Sequence, residues 1–410
     1  MKKILFIILA CIPFIMSSCS KDDLPIIKDN FEVFDPVAVT KSNPMKLYVH
    51  YMPWFETPES NGSWGMHWTM ANKNPDNVDA NGKREIASHY YPLIGPYASS
   101  DEAVIEYHLL LMKYSGVDGI LIDWYGTRDL NDYASNKKNT EVIAKVAEKV
   151  GMGYAIVYED QTLNPDMDEE AVKITQAKAD MKYLEDNFFG KDNYIKIDNK
   201  PLLLVFGPQG IKTPAGWTQA FSTLATKPIF VTLYGHAVVA NNAENKNAAG
   251  EYIWVDNTSM ETKYSVKDNF DLFIGGAYPG FKDFYKEGGW GDQVLNPIDH
   301  RDGVLLRELL QMAKSKNVDY LQLITWNDFG EGTMIEPTQE FGYKFLNEIQ
   351  TFAGVSYNST VLENILDYYN LRQKYKGVMK PEKQLQQAFY YLISLQTDKA
   401  KQIIDELKNK

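Results

Sequence analysis

The chain has almost no cysteine. Cys11 and Cys19 are the only two in 410 residues, and both lie near the N-terminus. If both leave with or anchor a leader, the folded body has no disulfide, no thiol nucleophile and no cysteine metal site. Basic runs are also missing, and the net charge is −12. Such a chain repels nucleic-acid phosphates, so no nucleic-acid partner is expected. His50, His67, His89, His108, His236 and His300 show no ligand spacing such as HExxH, so no metal is expected. There is no glycine-rich phosphate loop and no nucleophile elbow, so neither a cofactor nor a serine triad is expected.

The N-terminus has the order of a secretory signal. Lys2 and Lys3 precede an apolar run from Ile4 to Met16, and Ser17-Ser18-Cys19 closes it. The run is too short for a comfortable membrane span. A signal anchor or an ordinary cleaved signal would fit as well. The end of the run resembles a bacterial lipobox, which implies a signal peptide over 1–18 and a lipid on Cys19. The following "SKDD" resembles the acidic signal that sends some Gram-negative lipoproteins to the cell surface. The resemblance implies a lipid-anchored protein of the bacterial outer membrane, facing outward. Residues 19–45 are polar and broken by Pro25, Pro36 and Pro44, as in a tether.

What is present in quantity is apolar and aromatic. Apolar residues make up 44 % and charged ones 23 %, as in a folded domain. Aromatics reach 13 %, with 26 Tyr and 8 Trp, which suits flat sugar-binding faces but also cores. Short β-rich runs recur at 46–54, 116–126, 152–160, 200–210, 227–236, 251–257, 270–280 and 318–333. Their apolar stretches are continuous, as in strands buried on both faces of a parallel sheet. Amphipathic segments separate several of them; those at 237–250 and 258–269 are weak. The spacing predicts an α/β protein: a (β/α)8 TIM barrel over 46–352 with a C-terminal helical extension over 353–410. A doubly wound open sheet is the alternative. The stretch from Phe55 to Ser100 is long for a loop and rich in aromatics, which favours a functional role.

In such a barrel the active site lies at the C-terminal strand ends. The residues gathered there are His50, Tyr51 and Trp54; Asp123, Trp124 and Tyr125; Tyr158, Glu159 and Asp160; Gln209; Tyr234 and His236; Trp254 and Asp256; Tyr278; and Trp326, Asn327, Asp328 and Glu331. Trp68 joins them from the long loop. The set is aromatic and acidic, with almost no cations, which disfavours phosphate substrates and fits carbohydrate. Glycosidic cleavage generally needs two carboxyl groups. "TWNDFGEGTMIEP" (325–337) supplies Asp328 and Glu331 beside Gly330 and Gly332, with Glu336 following. A plain solvated turn would read the same way.

Three stretches resemble the glycoside hydrolase family 99 and family 71 superfamily: "VHYMPWFETPESNGSWGMHW" (49–68), "SSDEAVIEYHLLLMKYSGVDGILIDWYG" (99–126) and "TWNDFGEGTMIEP". The resemblance implies an endo-acting enzyme on an α-linked polysaccharide or a mannan or N-glycan-type substrate. Asp328 and Glu331 then form the catalytic pair. Substrate contacts are expected from His50, Tyr51, Trp54, Trp68, Asp123, Trp124, Tyr158, Glu159, His236, Tyr278, Trp326, Asn327 and Glu336, the last also fitting a loop-ordering role. Other glycan-uptake surface proteins are expected as partners. Family 99 has Glu where this chain has Asp328, whereas "WNDFGE" follows the family 71 pattern. The shorter Asp favours a base acting on water, hence inversion, with Glu331 as acid. A non-catalytic glycan-binding lipoprotein is the rival expectation.

Overall fold

The computed structural model describes residues 32–256 and 258–410. Cys19 and the expected signal peptide lie outside them. Eight parallel strands form the barrel: β1 (Lys46–Tyr51), β2 (Gly119–Trp124), β3 (Gly153–Tyr158), β4 (Lys200–Val205), β5 (Ile229–Leu233), β6 (Ala248–Tyr252), β7 (Leu272–Ala277) and β8 (Tyr320–Leu323). Each pairs with its neighbours in sequence, and β8 returns to β1 with Lys46 opposite Tyr320 and Val49 opposite Leu323. The sheet is closed, so the open-sheet alternative falls. A two-residue arm, Lys196–Ile197, pairs antiparallel with the start of β4.

β6 starts three residues before the expected run, inside the weak amphipathic segment 237–250. Gly250 is the reason it fits there. A Cβ at that position would stand 1.6 Å from the carbonyl oxygen of Leu272 on β7. The strand needs a residue without a side chain, and that residue hid the strand.

The helices follow the expected order. They are α1 (Glu102–Tyr114), α2 (Tyr133–Val150), α3 (Glu170–Leu184), α4 (Pro214–Ala220), α5 (Val304–Ser315) and α6 (Lys344–Ala353). After β5 and β6 the helices are short, Ala237–Ala240 and then Met260–Tyr264 with the 3-10 turn Lys267–Asn269, where the amphipathic pattern is weak. Asp101 caps α1 by accepting from the Ala103 amide. Gly116 ends the connection at φ +81, pressed so close to Ala353 that a Cβ would meet it at 2.6 Å.

Strand parity sets the layers. Successive side chains alternate between the barrel interior and the helices. On β2 and β3 the outward set is Ile120, Ile122 and Trp124, and Ile156 and Tyr158. Ile120, Ile122 and Ile156 are fully buried, each worth about 1.5–3 kcal/mol. Trp124 stacks on Tyr183 of α3 at 5.8 Å, and the Tyr158 hydroxyl donates to Asp180 of α3 at 2.6 Å.

The extension consists of α7 (Ser359–Lys374), α8 (Met379–Ile393) and α9 (Thr397–Lys408). It packs on α1. The Tyr368 hydroxyl donates to the buried Glu106 at 2.7 Å, and the Tyr114 hydroxyl to the Leu392 carbonyl at 2.7 Å. The expected tether ends earlier than residue 45. Val37 donates to the Ile393 carbonyl, and Ser42 and Asn43 donate to Gly354 and Ala353. Residues 37–45 thus run along the extension and the end of α6.

The long loop folds across the C-terminal mouth. Trp68 is completely buried, stacked on Phe55 at 4.0 Å, and its indole N–H donates to the Tyr97 carbonyl at 2.8 Å. A polar chain then ties this loop to β1, α1 and the segment after β8. The Tyr51 hydroxyl meets His108 Nδ1 at 2.8 Å, and His108 Nε2 lies 3.3 Å from Glu336 Oε1. The Tyr97 hydroxyl donates to Glu336 Oε2 at 2.7 Å, and the Asn327 amide donates to that hydroxyl at 3.1 Å. Glu336 is completely buried. Removing one member leaves buried partners unmatched. Glu336→Ala should therefore cost about 3–5 kcal/mol of stability, read as a shift in the urea midpoint. A loss under 1 kcal/mol would mean that the chain does not hold the mouth together.

Candidate active site

One cavity opens at the mouth, lined by His50, Trp54, Glu159, Trp254, Asp328 and Glu331, with His67, Tyr285 and Trp290 among the loop residues. Parity explains the strand-derived part. His50, Asp123 and Glu159 take the inward positions at the ends of β1, β2 and β3. Their neighbours Tyr51, Trp124 and Tyr158 take the outward ones.

The segment after β8 is bound on every side. The Asn327 side chain accepts from the Met52 amide at 2.8 Å and donates to the Met52 carbonyl at 2.9 Å. The Trp326 amide donates to the His50 carbonyl at 2.6 Å. The Asp328 amide donates to Thr325 Oγ1 at 2.8 Å, and the Glu331 amide donates to Asp328 Oδ1 at 2.9 Å. A strap from the β7–α5 connection lies alongside. Its Lys282 and Phe284 amides donate to the Glu331 and Gly330 carbonyls at 2.9 and 2.8 Å. Gly332, at φ +67, allows this approach, since a Cβ there would meet the Lys282 carbonyl oxygen at 2.7 Å. The strap delivers Tyr285, whose hydroxyl donates to Glu331 Oε1 at 3.1 Å. Glu331 Oε2 is buried with no protein hydrogen-bond partner among the described residues.

The two carboxyls differ in proton affinity. Burial, and then the Asp328 charge, push Glu331 up to about 8. Burial pushes Asp328 up to about 6, against the Glu331 amide bond and the two nearby histidines. Tyr285 is held far above its usual range, by burial first and then by Glu331, so it remains a donor. Asp123 and Glu159 form a second buried acid pair. Burial raises Asp123, and burial together with the Asp123 charge raises Glu159 well above the carboxylate range.

Trp54 and His67 stack at 4.1 Å with planes 5° apart, and His67 meets Asp132 at 3.2 Å. The Trp254 and His50 rings meet in a T-shaped contact at 4.8 Å.

Of the expected site residues, the cavity unites His50, Trp54, Glu159, Asp328 and Glu331, with Asp123 directly beside His50 at 3.8 Å. Nine others do not line it, each for a packing reason. Tyr51, Asn327 and Glu336 belong to the polar chain that braces the mouth. Trp124 and Tyr158 pack on α3, Trp68 is loop core, and buried Trp326 makes a T-shaped contact with His108 at 5.4 Å. Tyr278 is buried beyond β7 and is not in the lining. His236 also stays outside it, half-buried, with Nδ1 donating to the Tyr234 carbonyl at 3.1 Å. His67, Met70, Tyr285 and Trp290 line the cavity without having been expected. They come from loops with no periodicity, and their only sequence signal is aromatic density beside glycine. No group of His, Cys, Asp and Glu among the described residues forms a metal site.

A TIM barrel with paired carboxyls of unequal proton affinity in an aromatic cavity is the apparatus of a carboxylate-dependent glycosidase. The family model for glycosyl hydrolase family 99 matches residues 43–264, and the chain belongs to that family. It is similar to glycoprotein endo-alpha-1,2-mannosidase of Xenopus laevis, 23 % identical over 76 % of this chain and 74 % of the relative. The endo-alpha-1,2-mannosidase-like protein of Danio rerio is 21 % identical over 71 % of this chain and 70 % of the relative. Among solved structures, the GH99 endo-alpha-mannosidase of Bacteroides thetaiotaomicron superposes with a TM-score of 0.58 at 18 % identity, covering 81 % of this chain and 99 % of that one. The barrel is thus shared at low identity, and the protein is a glycoside hydrolase.

The proton affinities set a pH signature. Glu331 goes from its ordinary 4.5 to about 8 in the folded chain. Over that window the folded state keeps a proton that the unfolded state releases, so stability falls as pH rises through it. Glu331→Gln removes this liability. The variant should gain about 1–2 kcal/mol over wild type at pH 9 and little at pH 4, read from paired thermal melts. A gain independent of pH would contradict the assignment.

Proposed function

We propose that this enzyme cleaves internal α-mannosidic bonds of a mannan or N-glycan-type substrate, with Glu331 as general acid and Asp328 as general base. The observation that carries the roles is the asymmetry between the two acids. Tyr285 holds one oxygen of Glu331, and the other is buried and unpartnered. A carboxyl that keeps its proton at neutral pH has that oxygen available to protonate a leaving glycosidic oxygen. Asp328 ionises first, as a base must. The family and the named activity of the relatives support the substrate class.

Asp328 is one methylene shorter than a glutamate, which leaves room for a water between it and the anomeric carbon. The reaction then inverts: Asp328 takes a proton from water, the water oxygen bonds to the anomeric carbon, and the glycosidic bond breaks as Glu331 protonates the departing oxygen.

Three measurements test this. On an α-mannan panel, Glu331→Gln and Asp328→Asn should each lower kcat by about 10²-fold or more, the lower end of a general acid–base contribution. Cleavage unchanged in Glu331→Gln would leave only a glycan-binding barrel. The log of kcat/KM should rise through about 6 and fall through about 8, the values for Asp328 and Glu331. NMR of the first-formed product should show the inverted anomer; a retained anomer would discard the water step.

The N-terminal signal supports a further part of the proposal, lipidation at Cys19 and display on the outer membrane beside other glycan-uptake proteins. Cys19→Ala should move the protein from the membrane fraction to the soluble fraction of a Gram-negative host; retention on the membrane would refute the anchor.

A further inference from the structure

The innermost layer at the mouth is unusual for a barrel. Such interiors are normally filled by branched apolar side chains. Here the inward positions at the ends of β1, β2 and β3 are His50, Asp123 and Glu159, and His50 and Asp123 are at most 1 % exposed. They are near one another but poorly satisfied. His50 Nε2 is 3.8 Å from Asp123 Oδ1, too long for a hydrogen bond. Both ring nitrogens of His50, both oxygens of Asp123 and the indole N–H of Trp54 are buried without a protein donor or acceptor among the described residues. Glu159 neighbours Asp123 and accepts from Gln161 Nε2 at 2.8 Å. Several unmatched polar atoms on and behind one cavity wall are costly to keep buried. That cost is offset when a ligand supplies the missing partners.

The ligand must bring donors and acceptors close together and carry no negative charge. No Lys or Arg lines the cavity, whereas Glu159, Asp328 and Glu331 do. Trp54 and Trp254 also line this cavity. We propose that His50, Asp123 and Glu159 determine specificity by gripping adjacent hydroxyls of one neutral sugar ring, seated between Trp54 and Trp254 beneath the catalytic pair. The inference rests on the glycosidase reading above and deepens it. A ring bearing a carboxylate, sulfate or phosphate would meet the charge of Asp328 and no Lys or Arg to offset it, which disfavours uronic acids and esterified sugars.

The test uses the full chain carrying Glu331→Gln, which leaves the wall intact and stops turnover. Binding of neutral α-mannan and α-glucan oligosaccharides and of a manuronate oligosaccharide is measured by calorimetry. The parent should bind a neutral oligosaccharide and not the manuronate. Adding Asp123→Ala should weaken that binding about 30-fold or more, as expected for two lost hydrogen bonds to a charged group. The isosteric Asp123→Asn should give an intermediate loss. Thermal melts supply a readout that a structural role would move oppositely. Asp123→Asn should melt no lower than its parent, because the buried carboxylate has little to lose in the free protein. Neutral-sugar binding unchanged by both Asp123 variants would overturn this inference and leave the catalytic assignment standing. A melting point lowered by many degrees would make Asp123 a structural residue and overturn it too. A parent that binds no neutral oligosaccharide would overturn this inference and the substrate reading together.

Discussion

A closed barrel gives each strand residue two destinations, the interior or the surrounding helices, and alternation along a regular strand assigns them. The rest of the site depends on this constraint. At the ends of β1, β2 and β3 it turns His50, Asp123 and Glu159 inward and sends Tyr51, Trp124 and Tyr158 to α1 and α3. Both members of each adjacent couple are polar or aromatic at a strand end. Only one of each can meet substrate. The outward members are not idle, because they fix the helices whose loops frame the mouth.

Parity alone does not build the catalytic pair, which stands beyond the last strand. There the backbone is held by neighbours from distant parts of the chain. Asn327 binds both polar groups of Met52, closing the β8–β1 seam at the mouth. Glu336 anchors the far end of the segment to Tyr97 and His108. The strap carrying Tyr285 runs along Gly330 and Glu331. With the backbone fixed, the Glu331 amide bonds to Asp328 and the Tyr285 hydroxyl bonds to Glu331, so two nearby acids are given different surroundings. Their proton affinities separate, as one acid and one base require. Burial raises both, and the charge of Asp328 raises Glu331 further.

The eight strand–helix units were legible because a parallel barrel demands continuous apolar runs at regular spacing, and this chain has them. The failures are local and have physical causes. β6 was misplaced because Gly250 is required by the approach of β7, and glycine reads as loop. The tether is shorter than expected because Pro36 and Pro44 mark the segment as irregular, yet the Val37, Ser42 and Asn43 amides are paired with Ile393, Gly354 and Ala353. His67 and Tyr285 went unseen because loop residues reach a cavity through long-range packing that leaves no periodic trace.

The sequence by itself determined the barrel, its order of elements and the acid motif that follows the last strand. Those properties depend on local composition and on spacing along the chain. Only the tertiary structure decided which acids face one cavity, which aromatics are walls and which are core, and which of three close acids braces the mouth instead of reacting. Those properties depend on burial and on contacts between residues hundreds of positions apart, such as Met52 with Asn327 and Tyr97 with Glu336.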